Sequence, residues 1–99
     1  MERYSSRTID ELGRFVLHSE LRKKLGLAMK GRVSLKLVGS IIILRQAEGI
    51  AGDDCAFSEI DEIGMVTLPS EVMKDMSWKS GDKIAFYNTD NLIFLKTAG

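Results

Sequence analysis

Ninety-nine residues with zero net charge, 44% hydrophobic and 28% charged, have the composition of an ordinary soluble globular chain. No apolar run approaches the roughly 18 residues of a membrane span, and Met1-Glu2-Arg3-Tyr4 does not open a signal peptide. One cysteine, Cys55, excludes an internal disulfide and suits a reducing cytosol.

The zero net charge hides a dipole. Residues 1–50 carry ten Lys/Arg against five Asp/Glu, whereas residues 51–99 carry four against nine. An asymmetry of this kind is expected where one half meets a polyanion and the other does not.

Thr8 and Ile9 favour a first strand over Ser6–Asp10. Asp10-Glu11-Leu12-Gly13 places Asp at the first and Gly at the fourth position of a type I turn. Phe15-Val16-Leu17 forms the second strand. Ser19 is the expected N-cap of a short helix, with Glu20 in its first turn and Arg22-Lys23-Lys24 near its last, each suited to the helix dipole. Gly26 is placed to stop that helix. Arg32–Leu37 alternates polar and apolar residues, the period of a strand with one buried face. Gly39-Ser40 fits a two-residue hairpin turn, and Ile41–Leu44, apolar on both faces, is expected to be sandwiched in a core.

The same plan then returns. Thr8-Ile9-Asp10-Glu11-Leu12-Gly13 reappears as Glu59-Ile60-Asp61-Glu62-Ile63-Gly64, and Ile41–Arg45 as Leu92–Lys96, at a constant offset of 51. A gap-free register over some forty residues marks a duplicated unit. Residues 5–47 are the first, basic repeat, 48–57 an exposed linker containing Cys55, and 58–98 the second, acidic repeat. In the second, Ser70 and Glu71 open a helix carrying Val72 and Met76, and Asp90-Asn91 is the hairpin turn. A lone unit of about 45 residues buries too little surface to be stable, so the copies are expected to complete one another, within one chain as a pseudo-dimer.

Arg7-Thr8-Ile9-Asp10-Glu11-Leu12-Gly13-Arg14, followed by Glu20-Leu21-Arg22-Lys23, Leu25 and Gly26, resembles the DNA-binding domain of the AbrB/SpoVT family of bacterial transcription regulators. The resemblance covers residues 5–45 well and 58–97 more loosely. It implies a mainly β fold with short helices, a swapped-hairpin β-barrel built from two tandem β-β-α-β-β repeats. It also implies double-stranded DNA as partner, contacted by Arg7, Arg14, Arg22 and Lys23. Beside these, Lys24, Lys30, Arg32 and Lys36 are weaker candidates for general electrostatic support, and Arg32 and Lys36, on one strand face, border the DNA or simply face water. Guanidinium groups on a rigid turn or helix can engage phosphates or guanine edges bidentately.

In the second copy the four equivalent positions hold Ser58, Met65, Met73 and Lys74, so three of the four cations are gone. That copy is expected to serve structure and dimerisation. His18 stands where the family pattern has proline, kept here as Pro69. A lone histidine points to no metal or catalytic role. Met65, Met73 and Met76 could form a contact patch for another subunit, with core filling an equal reading of Met76, and Trp78 is a core or interface residue.

Nothing in the chain has the spacing of a phosphate loop, a metal cluster or a nucleophile with its base. The expected protein is therefore a cytoplasmic, nucleoid-associated, non-enzymatic DNA-binding regulator that acts as a homodimer or larger oligomer, without cofactor, membrane or small-molecule partner. Two alternatives are an antitoxin-type DNA binder and an assembly module without a nucleic-acid role.

Overall fold

The computed structural model describes residues 2–27, 30–47, 55–89 and 92–98. Along the chain run β1 (Glu2–Thr8), β2 (Arg14–Val16), α1 (Ser19–Lys24), β3 (Arg32–Val38), β4 (Ile41–Gln46), β5 (Cys55–Glu59), β6 (Met65–Thr67), α2 (Ser70–Met76), β7 (Lys83–Asn88) and β8 (Ile93–Thr97). Elements β6, α2 and β7 start 51 residues after β2, α1 and β3. The fold is mainly β, with two short helices.

Six strands form an antiparallel sheet in the order β1-β7-β8-β4-β3-β5, and β2 pairs with β6 in a separate ribbon. Exchanging the copies leaves that order unchanged. Each copy's first strand lies on the third strand of the other copy, so Arg7 opposes Ile84 and the equivalent Ser58 opposes Val33. The reason is edge chemistry. A lone hairpin would leave the outer backbone groups of β3 and β7 unpaired, and the partner copy's first strand satisfies them. Strands β4 and β8 join the two hairpins at the centre. The sheet ends at β1 and β5 and is not closed into a barrel. A radius of gyration of 12.2 Å is close to the roughly 13 Å of a single 100-residue domain, not of two beads on a string.

One face of the sheet supplies the core. Val33, Leu35, Ile42, Leu44, Ile84, Phe86, Ile93 and Leu95 are buried against Phe15, Leu17 and Leu21 of the first copy and Val66, Leu68 and Val72 of the second. Phe15 and Phe86, from different copies, stand 5.6 Å apart. At about 1.5–3 kcal/mol for each fully buried large apolar side chain, this seam between copies outweighs any single turn or cap.

Several local expectations change. Strand β1 starts at Glu2, before Ser6, because β7 offers it a partner, and its register slips between Tyr4 and Arg7. Strand β5 begins at Cys55, so residues 55–57 belong to a strand held by β3, not to a linker. Residues 48–54 and the turn Asp90-Asn91 lie outside the described residues. In β4 only Ile42 and Leu44 are fully buried, since Ile41 and Ile43 point to the outer face. Leu37 and Val38 end β3 with 38% and 45% of their surface exposed, where the strand outruns the core.

Ser19 is not the N-cap of α1. His18 holds that position without a side-chain cap, at φ −54° and ψ 132°, nearly the angles of Pro69 before α2 (φ −57°, ψ 145°). Gly26 ends α1 at φ 65°. There its N–H donates to the Lys23 carbonyl, and the Leu27 N–H donates to the Arg22 carbonyl at 2.8 Å. The same pair of bonds ends α2 around Ser77, a non-glycine residue at φ 57°. Trp78 is buried, and its indole N–H donates to Thr97 Oγ1 at 2.8 Å. Among the described residues no helix is long and apolar enough to cross a membrane.

Candidate nucleic-acid interface

The turn between β1 and β2 is built by one carboxylate. Asp10 Oδ1 accepts the N–H groups of Leu12 (2.9 Å) and Arg14 (2.8 Å), while the Gly13 N–H donates to the Asp10 carbonyl. Asp61 repeats the arrangement with Ile63 and Met65. Gly13 takes φ 77° and Gly64 φ 86°, backbone conformations that cost little only without a Cβ. The turns lock the copies together, because Leu17 N–H donates to the Gly64 carbonyl and Leu68 N–H to the Gly13 carbonyl.

Arg14 follows this turn on β2. Its Nε donates to Asp10 Oδ2 at 2.8 Å, and its Nη1 lies 3.9 Å from Asp61 Oδ2 across the ribbon. Met65, the equivalent residue, leaves Asp61 Oδ2 without such a local donor, and Arg14 takes up the role from the other copy. The backbone N–H of Arg14 is the main cause that lowers the Asp10 pKa below the ordinary carboxylate value, and the guanidinium adds to it. Arg14 is thus held in a fixed pose, with its side chain only 32% exposed. It is not the freely exposed side chain that its place after a turn suggests.

The remaining candidates lie elsewhere on the first copy. Arg22 is half-buried on α1, whereas Lys23 and Lys24 are exposed. The Lys24 ammonium lies 5.6 Å from the centre of the Tyr4 ring. Arg7, near the end of β1, is half-buried, and its Nε is enclosed without a hydrogen-bond partner. Arg32 and Lys36 share a face of β3, as their spacing requires, with the Arg32 guanidinium 4.8 Å from the Phe57 ring. Lys30 is exposed at φ 63° in the turn before β3.

The corner that joins Arg7 to α1 was not legible beforehand. His18 is buried there, its Nε2 3.2 Å from Ser5 Oγ and its ring edge-on to Phe86 at 5.0 Å and tilted on Tyr4 at 5.5 Å. Burial, then the nearby Arg7 charge, lowers its pKa, although the Ser5 hydrogen bond and then Glu20 pull the other way. A ring in this setting is a packed core group. Also missed were Leu12 and Ile63, each 69% exposed at the tips of the two turns. Their shared place in the repeat was the available signal.

In the second copy Met73 and Met76 pack against the core. Met73 Sδ would lie 3.1 Å from a Cβ added at Gly13, so this helix sits tight on the first copy's turn. Both methionines are partly buried, so core packing takes up part of each side chain. Ser58, the mate of Arg7, donates its hydroxyl to the Thr67 carbonyl at 2.6 Å.

Two equivalent shallow clefts flank the turns. One, of about 640 Å³, is lined by Asp10, Glu11, Leu12, Arg14 and Gly81, and its mate, of about 480 Å³, by Lys30, Ser58, Glu59, Asp61 and Glu62. Carboxylates outnumber cations in both, so neither suits a small anion. A polyanion would have to meet protruding side chains. Among the described residues no group of three or more His, Cys, Asp or Glu could hold a metal ion.

No family model matches this chain, and no curated protein matches it either. Among solved structures it is similar to the solution structure of PHS018 from Pyrococcus horikoshii. The TM-score is 0.55 and the sequence identity 18%, over 98% of this chain and 88% of that one. At that identity the likeness concerns the fold alone.

Proposed function

We propose that the chain is a double-stranded DNA-binding transcription regulator of the AbrB/SpoVT type. In this reading the two tandem repeats form a swapped-hairpin unit inside one polypeptide. The exchange of first strands between copies supports the architectural part. One observation carries the functional part: Arg7, Arg14 and Arg22 of the first copy correspond to Ser58, Met65 and Met73 at equivalent places in a shared backbone plan. A scaffold role would not demand cations on one side only.

Such a unit has a single basic copy, hence half of the reading surface of a symmetric dimer. Two chains about a two-fold axis would supply a pair of basic faces matched to two half-sites. Homodimerisation therefore belongs to the proposal.

The test selects duplexes from a random-sequence pool and measures affinity against salt for the selected site. Each lost phosphate contact should weaken binding and reduce the log–log salt slope by about one. Arg14→Ala and Arg22→Ala should both do so, whereas Lys79→Ala in the acidic copy should not. Equal binding by Arg14→Ala and Lys79→Ala would remove the first copy from the interface. Light scattering that gave a monomer mass at binding concentrations would remove the dimer.

A further inference from the structure

The outer face of the six-stranded sheet, opposite the core, carries a pattern of which the duplex reading uses only Lys36, as a weaker contributor. Strand register places Arg3, Tyr87, Phe94, Ile43, Lys36 and Cys55 in one straight row across all six strands, each directly opposite the next. Directly opposed residues share a face, so the row lies on one surface. The aromatic residues Tyr87 and Phe94 are adjacent on β7 and β8 and partly exposed. The Arg3 guanidinium is 5.8 Å from the centre of the Tyr87 ring, and the Lys96 ammonium is 5.9 Å from it. No residue of this row is acidic. The mates of Tyr87 and Phe94 in the first copy are Lys36 and Ile43, so the acidic second copy contributes the rings.

From this geometry we infer that the outer sheet face binds single-stranded nucleic acid, with bases stacked on Tyr87 and Phe94 and phosphates held by Arg3, Lys96 and Lys36. Base stacking needs an open π-face, and backbone tracking needs cations beside it; sheets that carry both bind single strands with little regard to sequence. Six strands spaced about 4.8 Å apart give a track of roughly 24 Å. A track of that length suits the short end of the roughly 4–16 nucleotides bound by sheet-based single-strand folds. A duplex keeps its bases stacked and offers these rings nothing. The surface is separate from Arg14 and α1, so this inference stands whether or not the duplex reading holds.

Fluorescence anisotropy of a labelled 15-nucleotide oligo(dT) at low salt tests it on the full chain. The wild type should bind, an unlabelled duplex of equal length should compete poorly, and polyglutamate should not compete. Tyr87→Leu should weaken binding at least fivefold and Tyr87→Phe should preserve it, since stacking alone is worth about that factor or more per base. Arg3→Glu combined with Lys96→Glu touches no core residue. It should weaken binding at least tenfold and flatten the salt slope by about 1.4 for two lost single-strand phosphates. Arg14→Ala should leave oligo(dT) binding unchanged. Failure to bind at low salt would overturn the inference, as would retention of affinity in the Arg3/Lys96 double variant. Competition by polyglutamate as strong as by oligo(dT) would also overturn it, reducing the face to a general attraction for polyanions.

Discussion

Two corners of this molecule share one backbone plan and are filled in opposite ways. Beside α1, Tyr4 opposes Phe86 on the sheet, and His18 packs between them and the helix. Beside α2, register places Ala56 opposite Leu35, where the first corner has Tyr4 and Phe86. Pro69 replaces His18 before the helix. Smaller side chains leave a cleft of about 220 Å³ lined by Leu35, Leu37, Ala56, Val72 and the carboxylates Glu71 and Asp75. The difference shows that strand exchange does not depend on one particular packing solution. Backbone pairing is shared by both corners, and side-chain volume is free to vary around it.

The largest effect that would break the comparison is loss of the filled corner. Tyr4→Ala should cost about 2 kcal/mol, as expected for deleting a partly buried aromatic ring, measured by urea unfolding. Ala56→Leu, at the matching place in the hollow corner, should instead gain about 0.5–1 kcal/mol by filling space. If Tyr4→Ala were neutral, the two corners would be energetically alike and the contrast empty.

A smaller effect concerns the helix ends. Gly26 and Ser77 occupy equivalent left-handed positions, and only the serine bears a Cβ there. Ser77→Gly should therefore raise stability by about 1 kcal/mol and Gly26→Ser lower it by a similar amount, read as opposite shifts in Tm.

The smallest effect separates His18 from Pro69 by pH. Burial and the Arg7 charge lower the His18 pKa against the opposing pull of the Ser5 hydrogen bond and the Glu20 charge, so folding disfavours the protonated ring. The unfolded chain takes up its proton first as pH drops through about 6.5. Stability then falls until the folded ring itself protonates. Melting curves between pH 5 and 8 should show this slope in the wild type and a flatter one in His18→Gln. An unchanged slope would mean that His18 is not the group responsible.

Much of the architecture was legible because it is encoded locally. The Asp10 and Asp61 turns bond within four residues, and the helix stop at Gly26 rests on contacts across one turn of chain. Both were readable from residue type alone. Ser19 has the chemistry of an N-cap, yet the extended backbone at His18, close to that of Pro69, sets the boundary one residue earlier. Cys55–Phe57 reads as linker because nothing in those residues reveals that the edge of β3, some twenty positions earlier, pairs with them. The surroundings of Arg14 are hidden from the sequence for the same reason. Asp61, which helps to hold it, belongs to the other copy.

The sequence by itself determined the duplication, the turn chemistry and the segregation of charge between halves, since each is a property of neighbours or of a fixed offset. Only the tertiary structure decided which strands pair. That pairing brought Arg3, Tyr87 and Phe94 onto one row, closed His18 into a corner and set Arg14 beside Asp61. Local bonds form wherever the residues for them occur in order. Pairing between distant strands depends on which edges remain open once the hairpins have formed, and that is settled by burying both copies' apolar faces in one core.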